Sequence, residues 1–375
     1  MNFDFSDDQR MLRDQAARFL DQRGALGAAR KVLEGEAPYD ESLWKGIGEL
    51  GWAGTAIPEA YGGSGLGRIE LCVIAEELGR SLAPTPFSSS VYLAAEALLE
   101  AGSEEQKKAW LPKLAEGKAI GCFGLGEGIA PPTARHIRAS VSGGKLTGTK
   151  APVADGDVAD VAVVVARGAG EPGLYLVDLT AGGVTRTKLD TVDPSRSHAE
   201  LAFDGAPAEP LGGGTGGGWE AVQRVLDRAA VLFAFEQVGG AQAALDMAKD
   251  YALNRYAFGR PIGSYQGIKH KLADMYMKIE LARANALYGA WAIGCDAPEL
   301  PVAAAAARIS ATDASWFAAK ENIQTHGGMG FTWELDCHLF YRRAKLLALN
   351  LGSERLWKDR LVSLLETQNA PKQVA

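Results

Sequence analysis

Two segments near the C-terminal end hold the side chains best suited to gripping a phosphorylated ligand. The first, Arg255-Tyr256-Ala257-Phe258-Gly259-Arg260-Pro261-Ile262-Gly263-Ser264-Tyr265-Gln266, lies between one helical pattern and the helix start IKHKLADM. The second, Gln324-Thr325-His326-Gly327-Gly328-Met329-Gly330-Phe331, closes a helical pattern on glycines. A fixed arginine suits a pyrophosphate, and an aromatic ring suits stacking on a purine. Paired glycines let backbone N–H groups approach phosphate oxygens. Taken singly, each segment is equally well read as a helix C-cap with a surface arginine, because glycine is the usual stop after a helix. The glycine run from Leu211 to Gly218 is a weaker signal. It lacks the Gly-Lys-Ser/Thr end of a phosphate loop and the spacing of a dinucleotide-binding turn. It reads as a flexible inter-domain turn, with a ligand contact as the lesser alternative.

The elements that must position these segments change character along the chain. Residues 1–120 are rich in helical periodicity. MLRDQAARFLDQ puts Leu12, Ala16, Phe19 and Leu20 on one face, and Ser103 with Gln106 makes a capping box ahead of KKAWLPKL. Residues 121–210 turn to short β-branched runs, KLTGTKAPV, DVAVVVAR, GLYLVDL and AELAFDG, which read as strands. Residues 219–370 return to long helical patterns, and NAPKQVA at the end reads as frayed. Helices, then strands, then helices give an α+β chain in three parts. Strands and helices do not alternate, which argues against a Rossmann sheet.

Composition narrows the function classes. The 375 residues are 47% apolar and 23% charged, without a run of the ~18–20 apolar residues a spanning helix needs. Net charge is −7 and the pI near 5.4, the wrong balance for gripping a nucleic-acid backbone. Cys72, Cys122, Cys295 and Cys337 are scattered, so they suggest neither a disulfide framework nor a metal site and read as reduced thiols of a cytoplasmic protein. The acidic N-terminus does not resemble a secretory signal.

Together the two C-terminal segments closely resemble the RxxFG and QxxGGxG signatures of acyl-CoA dehydrogenases. The run from Pro58 to Gly67, the EELGR segment and GSEEQKKAWLPKLAEG are similar to that family as well, in the same order along essentially the whole chain. The resemblance implies a helical N-terminal domain, a central β-barrel or sandwich and a C-terminal four-helix bundle, assembled as a homo- or hetero-tetramer. It also implies FAD as cofactor, an acyl-CoA substrate and an electron-transferring flavoprotein as acceptor. By position, Arg255 would meet the FAD pyrophosphate of a neighbouring subunit, and Phe258 and Gln266 its adenosine end. Gln324, Gly327 and Gly328 would meet its phosphates and ribityl chain. His326 has no assigned chemistry and reads as a packed loop histidine.

The reaction that the resemblance implies needs a desolvated carboxylate to remove the α proton while the β hydrogen leaves as hydride. One family position for it follows an RDAK-like helix. Here Arg342-Arg343-Ala344-Lys345 leads to Leu351 at that place. The other opens the first bundle helix, where this chain has Ala229. Neither can take a proton. Glu236 lies seven residues past Ala229, two turns or ~10 Å along the helix, too far to substitute without a different substrate pose. It reads as a satisfied polar group between bundle helices, and Asp227 as a surface or capping charge. The flavin cradle also departs from the family pattern. Gly126 replaces a hydroxyl donor, Pro152-Val153-Ala154 replaces a Trp-x-Thr pair, and Glu127 reads as structural. The expectation is therefore a base-lacking subunit that completes the FAD site of a paralogous chain, as in heteromeric members acting on bulky, steroid-like acyl-CoAs. The alternatives are a free-standing dehydrogenase with a relocated base and a DNA-binding relative, which the acidic balance disfavours.

Overall fold

The computed structural model describes residues 5–369, so of the expected frayed end, NAPKQVA, only Asn369 is described, as the last residue of a helix, and the rest lies outside the described residues. The N-terminal third is helical. Its elements are α1 (Asp7–Gln22), α2 (Ala25–Leu33), α3 (Glu41–Glu49), α4 (Arg68–Arg80), α5 (Glu96–Ala101) and α6 (Glu104–Ala115). Ala16 and Leu20 on the α1 stripe are buried, with Leu12 and Phe19 packed beside them. Helix α6 starts as its sequence dictates: Ser103 Oγ accepts from the Gln106 N–H, and Gln106 Oε1 accepts from the Ser103 N–H at 3.0 Å. A π-helical turn, Ser88–Ala95, leads into α5.

The middle third is an open eight-stranded sheet rather than a closed barrel, in the order β6-β7-β3-β2-β4-β5-β8 with β1 on β4. The strands are β1 (Gly121–Gly124), β2 (Ser140–Ser142), β3 (Lys145–Ala154), β4 (Val161–Arg167), β5 (Pro172–Asp178), β6 (Val184–Lys188), β7 (His198–Pro207) and β8 (Glu209–Pro210). One pair, Ser140 with Arg167, joins the two halves of the sheet. Strand β4 is apolar and buried from Val161 to Ala166, as a strand covered on both faces must be.

The last third holds α7 (Gly218–Asn254), β9 (Tyr256–Ala257), β10 (Arg260–Pro261), α8 (Gln266–Gly294), α9 (Leu300–His326), α10 (Cys337–Leu347) and α11 (Glu354–Asn369). Helix α9 is central, packing against α7, α8, α10 and α11. Helix α7 also crosses α4 with the backbones touching. A Cβ on Gly79 would fall 1.9 Å from the Glu236 carbonyl oxygen, and one on Gly239 1.9 Å from that of Glu76. The glycine run that leads into α7 is pinned, not flexible: Leu174 N–H donates to Gly216 O and Gly212 N–H to Gln106 Oε1. Its glycines supply the positive φ angles that successive tight turns require.

Candidate functional site

Helices α7 and α9 both run towards the end of the bundle where α8 begins, so the two signature segments share one end. Tyr251 on α7 lies against His326 on α9 with ring centroids 4.1 Å apart, and Lys271 on α8 reaches Glu321 on α9 at 3.0 Å. His326 is buried with Nδ1 2.9 Å from Asn322 O, a packed histidine as its position suggested. Between α7 and α8 the chain forms a hairpin, β9 against β10, with Phe258-Gly259 as its two-residue turn. Both turn residues have positive φ, 52° and 81°, the pair a twisted two-residue hairpin demands. Gly259 meets that demand freely, but Phe258 does not, and its ring is held out 98% exposed. Arg255, Gln266, Gln324, Gly327 and Gly328 are exposed too, and the space over Gly327 and Gly328 is open. All six of these residues are therefore exposed.

The positions where a base would stand are closed instead. Leu351 is 2% exposed, and its carbonyl accepts from the Trp357 indole at 3.1 Å. Ala229 is fully buried. The space bounded by Gly79, Leu82, Glu236, Gln237, Arg343 and Leu347 is about 10 Å³, room for one water and not for an acyl chain. The loop carrying Leu351 also lies against the Gly126–Pro132 loop, because a Cβ on Gly352 would come within 3.4 Å of Pro132 Cγ. That second loop is zipped to β3: Ala151 N–H donates to Gly126 O and Gly128 N–H to Ala151 O. Two of its backbone groups are occupied in this way, and neither Pro152 nor Ala154 has a side-chain donor for a flavin ring. Glu127 is structural, as expected. Its carboxylate accepts from Lys150 Nζ at 2.7 Å and from the Arg138 and Ala139 N–H groups. Burial opposes its charge, but those donors hold its pKa below the usual carboxylate value.

Asp227 and Glu236 need correction. Asp227 is no surface charge: it is buried and paired with Arg360 on α11 at 2.7 Å, and burial, outweighing Arg360, pushes its pKa up to about 6. Glu236, 1% exposed, is only half satisfied: Arg196 Nη2 of the β domain lies 2.6 Å from its Oε1, while its Oε2 has no hydrogen-bond partner among the described residues. Arg196 Nη1 also donates to Ser88 in the π-helical turn at 2.6 Å. From α10, Arg343 comes within 3.8 Å of Glu236 and pairs with Asp193 at 2.6 Å and with Ser195 at 2.8 Å. Ser89 donates to the buried Asp155 at 2.5 Å. All three thirds of the chain thus meet in one buried ionic cluster. Its members were missed because the partners are distant in sequence. One signal was present: Arg343 stands where an RDAK-like helix carries Asp, and a buried arginine needs an acid.

Comparison with known proteins follows the same lines. Residues 6–118 match the acyl-CoA dehydrogenase N-terminal domain and residues 216–361 the acyl-CoA dehydrogenase C-terminal domain. The acyl-CoA dehydrogenase IpdE2 of Mycobacterium tuberculosis is 35% identical over 364 residues, covering 95% of this chain and 97% of its own. Among solved structures, the ChsE4-ChsE5 complex from Mycobacterium tuberculosis superposes with a TM-score of 0.89 at 28% identity, over 99% of this chain and 100% of that one. The Tcur3481-Tcur3483 steroid ACAD gives 0.88 at 31% identity, over 96% and 98%. With its signature segments at one end of the bundle and its three-part architecture shared along the full length of these relatives, the chain belongs to the acyl-CoA dehydrogenase family.

Proposed function

We propose that this chain is the base-lacking subunit of a heteromeric FAD-dependent acyl-CoA dehydrogenase, and that it completes an FAD site whose catalytic carboxylate belongs to a paralogous chain. The observation carrying this reading is the contrast in exposure. Arg255, Phe258, Gln266, Gln324, Gly327 and Gly328 point outward, whereas Leu351 and Ala229 are sealed in the core. Arg255 would hold the pyrophosphate, Phe258 and Gln266 the adenosine end, and Gln324 with the glycine turn the phosphates and ribityl chain. The residues on the chain's own flavin face do not fit the group, because Gly126 and Pro152-Val153-Ala154 offer neither an aromatic ring to stack nor a side-chain donor. Bound FAD supplies a hydride acceptor for the β carbon of an acyl-CoA thioester. This chain's part is to bind and orient it.

Two of the solved relatives bear paired names, the ChsE4-ChsE5 complex and the Tcur3481-Tcur3483 steroid ACAD, and the second is called a steroid enzyme. A bulky, steroid-like acyl-CoA is the substrate class this favours, in a hetero-tetramer that passes electrons to an electron-transferring flavoprotein. Four free thiols suit a reducing compartment, the cytoplasm, and among the described residues no helix is long and apolar enough to cross a membrane. The test is the absorbance spectrum of the chain purified alone. It should be colourless or carry far less than one flavin per chain and turn over no acyl-CoA. Stoichiometric flavin with turnover would end the proposal.

A further inference from the structure

Next to the closed space, with Phe340 lining both, the α1–α2 turn, α4, α7 and α10 bound a cavity of about 320 Å³, within the range that holds small ligands. Its floor is apolar: Leu20, Ala25, Met247 and Phe340. Glu77 lines it from α4. This residue is 6% exposed, yet its carboxylate makes no hydrogen bond or ion pair with any described residue. Asp21 stands at the rim. The cavity's arginine, Arg80, is already committed to Asp246 at 2.8 Å, with Lys249 3.5 Å from the same carboxylate. Glu77 and Asp21 are thus left without an ion pair of their own beside an apolar floor, with Arg80 and Arg13 acting on Glu77 only from a distance.

A buried carboxylate without a partner is expensive to keep, and proteins neutralise it with a proton or a counter-ion. Burial, with Glu76 beside it, pushes the Glu77 pKa up to about 7, against the weaker pull of Arg80 and Arg13. No group of three or more His, Cys, Asp or Glu among the described residues could hold a metal ion, so the missing charge is not a metal's. We infer that this cavity is a binding site for an organic cation, an alkylammonium or alkylguanidinium group whose charged head pairs with Glu77 and whose stem lies on Leu20, Met247 and Phe340. Such a group comes either from a free amine or from a lysine or arginine side chain of another protein. The shared chemistry is one positive charge on a short apolar stem.

The charged groups facing Glu77 are Glu76 and Arg80 on α4, Arg13 and Asp21 on α1, and Asp246 with Lys249 on α7. Helix α2 offers only Ala25, Leu26 and Gly27, and α10 offers Phe340. Because Glu77 must be ionised to pair with a cation, affinity should fall about tenfold from pH 8 to pH 6, with proton release on binding near pH 7. The test is calorimetric titration of the full chain with n-butylammonium and n-butylguanidinium chloride, with 1-butanol as the uncharged control. At least one cation should bind one per chain, at least about tenfold tighter than the alcohol. Glu77→Gln should abolish that advantage, and Asp21→Asn should weaken it less. Thermal melts of Glu77→Gln should show an unchanged or raised Tm at pH 8, since no partner is lost. A capped lysine, Nα-acetyl-lysine methylamide, separates the sources. Binding as tight as butylammonium marks a site for a protein side chain, and much weaker binding marks a site for a free amine. Absence of binding by both cations at millimolar concentration, equal binding of 1-butanol, or undiminished binding by Glu77→Gln would overturn the inference.

Discussion

The φ of Phe258, 52°, costs an L side chain about 1–2 kcal/mol, and the ring gains nothing in return from its own chain, being 98% exposed. Strain without a local benefit is expected where a side chain serves another molecule. Phe258→Gly should leave the chain's Tm unchanged or raise it, while FAD affinity of the assembled complex falls about fivefold with the lost stacking. A melt of the isolated chain and a flavin titration of the complex check the two halves separately. At this scale the sequence singled out six residues that prove exposed at one end of the bundle, because each motif is a contiguous run that can be read without knowing the fold. It misread Asp227 as a surface or capping charge, because the partner Arg360 is 133 residues away, and it did not foresee that the donor to Glu236 would be Arg196 of the β domain.

Helices α7 and α10, the π-helical turn and the β domain are held to one another by the cluster around Glu236, Arg196, Arg343 and Asp193. Removing one member of such a buried set strands the charge of its partner, which costs about 3–5 kcal/mol. Glu236→Gln should therefore lower stability by that order in a denaturant melt, without the pH-rate signature that loss of a general base produces. The titrations in the cluster have opposite signs. Arg343 and Ser195 hold the Asp193 carboxyl below its usual value despite burial, so its stabilisation is present above about pH 4 and lost as pH falls through the folded pKa. Burial pushes Asp155 up to about 6 in spite of Arg196, so the fold keeps a proton that the unfolded chain releases near pH 4. This carboxyl weakens the fold as pH climbs between those values. Asp155→Asn, which keeps an acceptor for Ser89, should flatten that decline in a melt series from pH 4 to 7. The main strands were legible because Val161–Ala166 and Leu174–Val177 are continuous apolar runs. Strands β1, β2 and β6 were not, since they are short and either glycine-flanked or largely exposed. The pinned glycine run was misjudged because the groups that hold it, the donor Leu174 N–H and the acceptor Gln106 Oε1, belong to other elements.

The molecule as a whole exposes the end that carries the two signature segments, while the space beside Glu236 and Arg343 is nearly filled. The three-part order could be read from the sequence because each third has its own hydrophobic period. The seat of the Leu351 loop against the β domain could not, since it depends on how Gly352 meets Pro132, far away in sequence. An assembled complex carrying Arg255→Ala in this chain, compared with the unaltered complex, tests the central claim most directly. Losing a charge-assisted contact to a phosphate should weaken FAD by at least about tenfold and reduce turnover with it, while the complex stays assembled. Unaltered FAD affinity and turnover in that complex would contradict the account.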